Sequence, residues 1–164
     1  MANRISQIKN TIKDFKDIFE EDVLQNLDNL IKTDSPEIYL PDINLDSLEQ
    51  GLALKENVGF ISIQETYKEE VVAYVYRFFT LEYQCLFCKN NTSDHVDNFS
   101  FHYDKTENNI PHPPHLSTMF RSLRYYSRDI ELREFLEFIE DTFFIRDQGN
   151  LVRKNGHLWD SRFI

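Results

Sequence analysis

Cysteine is almost missing from this chain: Cys85 and Cys88 are the only two in 164 residues. Two thiols three positions apart make no disulfide framework for a secreted fold, and Asn90-Asn91-Thr92-Ser93 then carries no meaning as a glycosylation signal. Glycine and proline are also scarce, at 4 and 5 residues, which argues against a low-complexity or linker-rich chain. There is no Gly-rich phosphate loop, no G-x-S-x-G and no H-E-x-x-H, so P-loop hydrolysis, serine hydrolysis and zincin chemistry lose their support. No apolar stretch follows Met1 and no run approaches the length that crosses a bilayer. The expectation is a cytoplasmic protein with no membrane contact.

What the chain does have is aromatic mass and acid. Its 14 Phe and 8 Tyr suit a packed interior, and the length fits one domain around one core. The formal charge of -10 is unevenly placed. Residues 1–70 carry 7 Lys+Arg against 15 Asp+Glu, while residues 71–164 carry 11 against 13. All the arginines but Arg4 lie in the second part, and Arg is the side chain suited to planar recognition of phosphate. An acidic protein does not bind nucleic acid through its overall field, so no DNA partner is expected and an RNA contact needs a local basic patch. The acidic front end suits a basic protein partner.

From Arg4 to Phe19 the residues Ile5, Ile8, Ile12, Phe15 and Phe19 recur at steps of 3 and 4, the signature of one helix face. Val23, Leu24, Leu27, Leu30 and Ile31 continue helical spacing. These stripes serve either as core-facing packing or as a seam for a partner. Residues 33–58 read as a linker, with Pro36 and Pro41 holding the stretch to Leu45 extended and a helical turn at Asp46–Gln50. From Gly59 the period becomes two. Phe60, Ile61 and Ile63 open a strand, Lys68-Glu69-Glu70 turns the chain, and VVAYVYRFFTLEY at 71–83 is strand-like, with Tyr74, Tyr76 and Phe78 on one face and Val75, Arg77 and Phe79 on the other. Strands at Cys85–Lys89 and Asn98–Lys105 follow, and short connections make an antiparallel meander. Ser117–Tyr126 reads as either helix or edge strand. Leu132, Phe135, Leu136, Ile139 and Phe143 share one face of a helix over Ile130–Phe144, with Asp129 as its cap. Residues 145–164 form a tail, either docked through Trp159 or free as a partner-binding arm. The fold class is therefore α+β: an antiparallel sheet flanked by N-terminal amphipathic helices and a C-terminal helix.

The stretch best suited to chemistry is FSFHYDKTENNIPHPPH, Phe99–His115, which holds three of the five histidines. Strand alternation sets Phe99, Phe101 and Tyr103 on a core side and His102 and Asp104 together on a polar side, where a carboxylate can tune an imidazole as acid or base. His112-Pro113-Pro114-His115 holds two more imidazoles on a stiff backbone. The alternatives are a solvated strand face and a loop that simply ends it. His112 and His115 with Asp104 or His102 also have the chemistry of a three-ligand zinc or manganese site, though no metal or cofactor is assigned. Cys85 and Cys88 point to opposite faces of a strand and read as buried hydrophobes. Arg121, Arg124 and Arg128 recur at steps of 3 and 4 among Tyr125 and Tyr126. On a helix they would make a basic stripe beside stackable rings, suited to single-stranded RNA; the alternative is that they neutralise neighbouring glutamates.

The tyrosine-rich strand, the strand ending in Phe101-His102-Tyr103-Asp104, the Pro/His cluster at 112–115 and the closing helix resemble the TumE family of small toxin-antitoxin toxins over roughly residues 59–144. His102 stands where that family has arginine, and Leu116-Ser117 replaces a further histidine. The resemblance implies a toxin-like component of a bacterial toxin-antitoxin or defence module, acting on RNA or translation as a metal-independent ribonuclease, with an antitoxin as its partner. His102 and His115 would then transfer protons, Asp104 would orient one of them, Tyr103 and His112 would support the site, and Arg77 or Arg124 would hold phosphate, with Arg121 and Arg128 beside them. The competing expectation is a non-catalytic partner-binding subunit, antitoxin-like or part of a complex, that uses the acidic N-terminal helices.

Overall fold

A computed structural model describes residues 1–40, 51–79, 84–89, 115–118, 123–126 and 129–154, with the backbone alone for 84–89, 115–118 and 123–126. The turn expected at 46–50, the strand expected at 98–105 and the tail beyond Lys154 lie outside the described residues.

Helix α1 (Ala2–Asp14) forms where the isoleucine spacing predicts it, and buries Ile8 and Ile12. It stops at Phe15, earlier than the apolar pattern implies, and a 3-10 turn covers Lys16–Ile18. Backbone pairing at Phe19 decides this. Phe19 is extended and bridges Leu54, and the Glu20 N–H donates to the Ala53 carbonyl at 3.0 Å. Continuing the helix would forfeit both, whereas the turn still buries Phe15, Ile18 and Phe19. The second apolar series forms two short helices, α2 (Glu21–Gln25) and α3 (Leu27–Leu30), which bury Val23 and Leu27.

The described part of the stretch expected as linker instead adds strands to the sheet. Strands β1 (Lys32–Asp34) and β2 (Glu37–Leu40) pair around Ser35-Pro36. Ile38 and Leu40 are fully buried, so apolar alternation outweighs the nearby prolines as a guide. β3 (Leu52–Ala53) leads through a 3-10 turn at Lys55–Asn57 into β4 (Phe60–Lys68). Gly59 sits between them at φ 152°, where an added Cβ would lie 2.8 Å from the Phe79 carbonyl oxygen; only glycine fits that approach. Next come β5 (Glu70–Phe79), β6 (Gln84–Lys89), β7 (His115–Thr118) and β8 (Leu123–Tyr126). The sheet order is β1-β2-β4-β5-β6-β7-β8, with β3 alongside β4, and every pairing is antiparallel. The described parts of Ser117–Tyr126, residues 117–118 and 123–126, are thus strand.

Period-two alternation is legible in the packing. Ile38, Leu40, Ile61, Ile63, Tyr74, Tyr76 and Phe78 join the core that also holds α1 and α4. Val75, Arg77 and Phe79, on the other face of β5, are buried as well, as befits a central strand. A bulge between Thr66 and Tyr67 sets Tyr67 opposite Val71, and both pack against the core. Helix α4 (Leu132–Phe143) lays Leu132, Phe135, Leu136, Phe138, Ile139 and Phe143 on the sheet. Phe135 stacks on Tyr76 at 5.6 Å and Phe143 on Phe78 at 4.6 Å between ring centroids. Its cap is Glu131, not Asp129: the Glu131 N–H donates to Glu134 Oε2 at 2.9 Å, a carboxylate at the positive end of the helix dipole. The start of the tail is a hairpin of β9 (Phe144–Asp147) and β10 (Asn150–Arg153), turned by Gln148-Gly149 with positive φ at both, as a two-residue hairpin turn requires. No helix among the described residues is long and apolar enough to cross a membrane.

Candidate functional site

The most developed polar cluster among the described residues is one the sequence patterns did not single out. Glu65 continues the inward alternation of Ile61 and Ile63, so its carboxylate is carried into the core, where it is fully buried. Arg4, one helical step before Ile8, reaches it from the first turn of α1. Arg4 Nε donates to Glu65 Oε2 at 2.7 Å and Nη2 donates to Oε1 at 2.5 Å, a two-pronged pair. The Tyr76 hydroxyl donates to Oε1 at 2.7 Å. Three hydrogen bonds thus satisfy a carboxylate that is expensive to desolvate.

The electrostatics follow the geometry. Burial pushes the Tyr76 phenol well above its ordinary range, and the negative charge of Glu65 and the hydrogen bond to it act in the same direction. Tyr76 is a neutral donor. Burial opposes the charge on Arg4, but the hydrogen bonds and charge of Glu65 outweigh it and hold the guanidinium above its usual value. Neither group is set up to exchange a proton near neutral pH. This cluster orders the core and does not resemble an acid-base centre.

Two of its members, Arg4 and Tyr76, line a cleft. A cavity of about 550 Å³ opens between α1, the start of β5 and the approach to α4. Arg4, Gln7 and Thr11 line it from one face of α1, Glu70, Val71, Tyr74 and Tyr76 from β5, and Asp129 to Arg133 from the other side. Tyr74 and Tyr76 stack at 4.6 Å, nearly parallel, and the Tyr74 hydroxyl accepts the Ile130 N–H at 3.2 Å. The approach to α4 is thereby tied to the sheet. At the rim Arg133 pairs with Asp14 at 2.5 Å and lies over the Phe15 ring.

Of the residues expected to do chemistry, His102, Tyr103, Asp104, His112, Arg121 and Arg128 lie outside the described residues. His115 and Arg124 are described by backbone alone. The register sets His115 opposite Cys88 and Tyr126, and Ser117 opposite Leu86 and Arg124. His115 and Arg124 are therefore diagonal neighbours on adjacent strands, with backbones about 7–8 Å apart. The same cross-strand row continues through Leu86 to Arg77 and Ser62, but Arg77 is three strands from Arg124, about 14 Å. Arg77 is also only 7% exposed, which takes it away from a surface phosphate. The helical arginine stripe does not form at Arg124, because Leu123–Tyr126 pairs with β7 as a strand and β-favouring Leu, Tyr and Tyr suit that pairing. Cys85 and Cys88 pair in register with Phe78 and Val75.

The signal that could have revealed the Arg4–Glu65–Tyr76 cluster was a charge at a core phase in two elements: Arg4 on the isoleucine face and Glu65 on the β4 inward face. Opposite charges at core positions imply each other. No family model matches the chain, and neither the curated proteins nor the solved structures yield a match.

Proposed function

We propose that the chain is a toxin-like component of a bacterial toxin-antitoxin or defence module that acts on RNA or the translation apparatus. Its support is the TumE-like pattern over residues 59–144, and the observation that carries it is the diagonal adjacency of His115 and Arg124 on β7 and β8. A proton-transfer imidazole needs a phosphate-holding cation within side-chain reach, and this pair has that spacing. His102 and Asp104 complete the acid-base set in this reading, with His112 and Tyr103 in support. Arg77, buried in β5, drops out as a phosphate contact.

Expression of the chain should inhibit growth, and His102→Ala with His115→Ala should abolish that inhibition while the far-ultraviolet spectrum and melting profile stay intact. Unchanged toxicity in the double variant would overturn the assignment.

A second reading is a non-catalytic subunit that engages a basic partner. It is favoured by the front end, where the apolar stripe is used internally and Glu21, Asp22 and Asp28 remain exposed. Ile8 and Phe15 belong to the core, so the partner surface in this reading is the acidic exterior. An inert chain that co-purifies with a basic protein would favour it.

A further inference from the structure

We infer that the cleft between α1, β5 and the start of α4 is a binding site for an aliphatic cation, an apolar stem carrying ammonium or guanidinium heads. The inference is independent of the proposed function. The cavity, about 550 Å³, falls within the roughly 300–1,000 Å³ of small-ligand sites. Among the described residues, both cations in its lining are already committed to carboxylates, Arg4 to Glu65 and Arg133 to Asp14. Glu70 and Glu131 also line it, and neither enters an ion pair among the described residues. They stand on different elements, one opening β5 and the other capping α4. The wall includes Val71, Ile130 and Leu132, which suit methylene groups. A guest with a positive head near each glutamate and an apolar stem against this wall satisfies both kinds of surface.

An anion fits the same space poorly. The N–H of Glu131, which a phosphate at the start of α4 would seek, already donates to Glu134 Oε2. Two arginines held by carboxylates add little net positive field, and residues 1–70 supply 15 acids against 7 bases. Sign and shape therefore agree on a cation.

The test is calorimetric titration of the full chain with spermidine at low and moderate salt. Saturable one-to-one binding is expected, weakened at least about tenfold by Glu70→Gln with Glu131→Gln. Glu70→Gln alone should weaken it less, which guards against a defect in the α4 cap. Glu21→Gln with Asp22→Asn, exposed acids on α2 that do not line the cleft, should leave it unchanged. A lysine-containing tetrapeptide, titrated in parallel and in competition with spermidine, separates a free polyamine from a protein side chain as the source of the cation. No saturable binding of spermidine would overturn the inference. So would equal weakening by the α2 pair, since that is the signature of the bulk acidic field.

Discussion

A buried ion pair is where one residue carries most consequence. Glu65 has no exposure, while the Arg4 side chain retains 16%. Removing the cation strands a carboxylate that keeps only the Tyr76 hydroxyl. Arg4→Met should destabilise the fold by about 3 kcal/mol, the lower end of the cost of breaking a buried pair, because water reaches the Arg4 side. Adding Glu65→Leu should recover most of that loss, since two apolar groups replace a pair whose desolvation opposes its attraction. Chemical denaturation of the wild type, both single variants and the double variant gives the coupling directly. A double variant as unstable as Arg4→Met would show that the cost is lost packing. Alternation and helical phase made both positions legible as inward-facing, but which charge meets which, across 61 residues, needed the tertiary structure. The histidines were legible as chemistry-bearing types; what brings His115 near Arg124 is strand register, which residue type does not encode.

At the scale of elements, the apolar pattern located α1, α4, β4 and β5 well and their ends less well. Ends depend on competing backbone partners: α1 yields to the Phe19–Leu54 bridge, and α4 takes Glu131 over Asp129 as its cap. The end of α4 is also where acids crowd. Glu140 is surrounded by Asp141 and Glu137 of α4 and Asp17 of the 3-10 turn, with Arg146 of β9 opposing them. Arg146 is shared, because it also bonds Asp17 at 3.0 Å. Partial burial, ahead of these neighbours, raises the Glu140 carboxyl above its ordinary value. A folded-state value above the unfolded one means that the fold binds this proton more readily between the two. Stability from this group therefore falls as pH rises through that window, and at neutral pH its ionised form is a net cost. Glu140→Gln should raise the melting temperature at pH 7, with a gain that shrinks as pH falls to about 4, where the wild-type carboxyl begins to protonate in both states. The effect is small, because much of the side chain meets water. A gain independent of pH would assign it to something other than charge.

Across the whole molecule, the front end is part of the core. Ile8, Ile12, Phe15, Ile18, Phe19, Val23 and Leu27 belong to the same buried cluster as the sheet residues Ile61, Tyr76 and Phe78 and the α4 residues Phe135 and Ile139. Three further ties cross it: Arg4–Glu65, Arg133–Asp14 and Arg146–Asp17. A helical segment docked loosely on a self-sufficient sheet would melt separately; one that shares the core melts with it. Far- and near-ultraviolet circular dichroism should therefore report one coincident thermal transition. Deleting residues 1–31 would expose the inner face of β2, β4 and β5 and leave Glu65 without Arg4 inside that face. Fully burying one large apolar side chain stabilises a fold by about 1.5–3 kcal/mol, so losing seven such residues removes about 10–21 kcal/mol, as much as the roughly 5–15 kcal/mol that holds a domain of this size together. The truncated chain should show no cooperative melt and should bind a hydrophobic dye at room temperature. A truncated chain that melts cooperatively would instead make the front end a separable arm, and the acidic surface it carries would then be free to move with a partner.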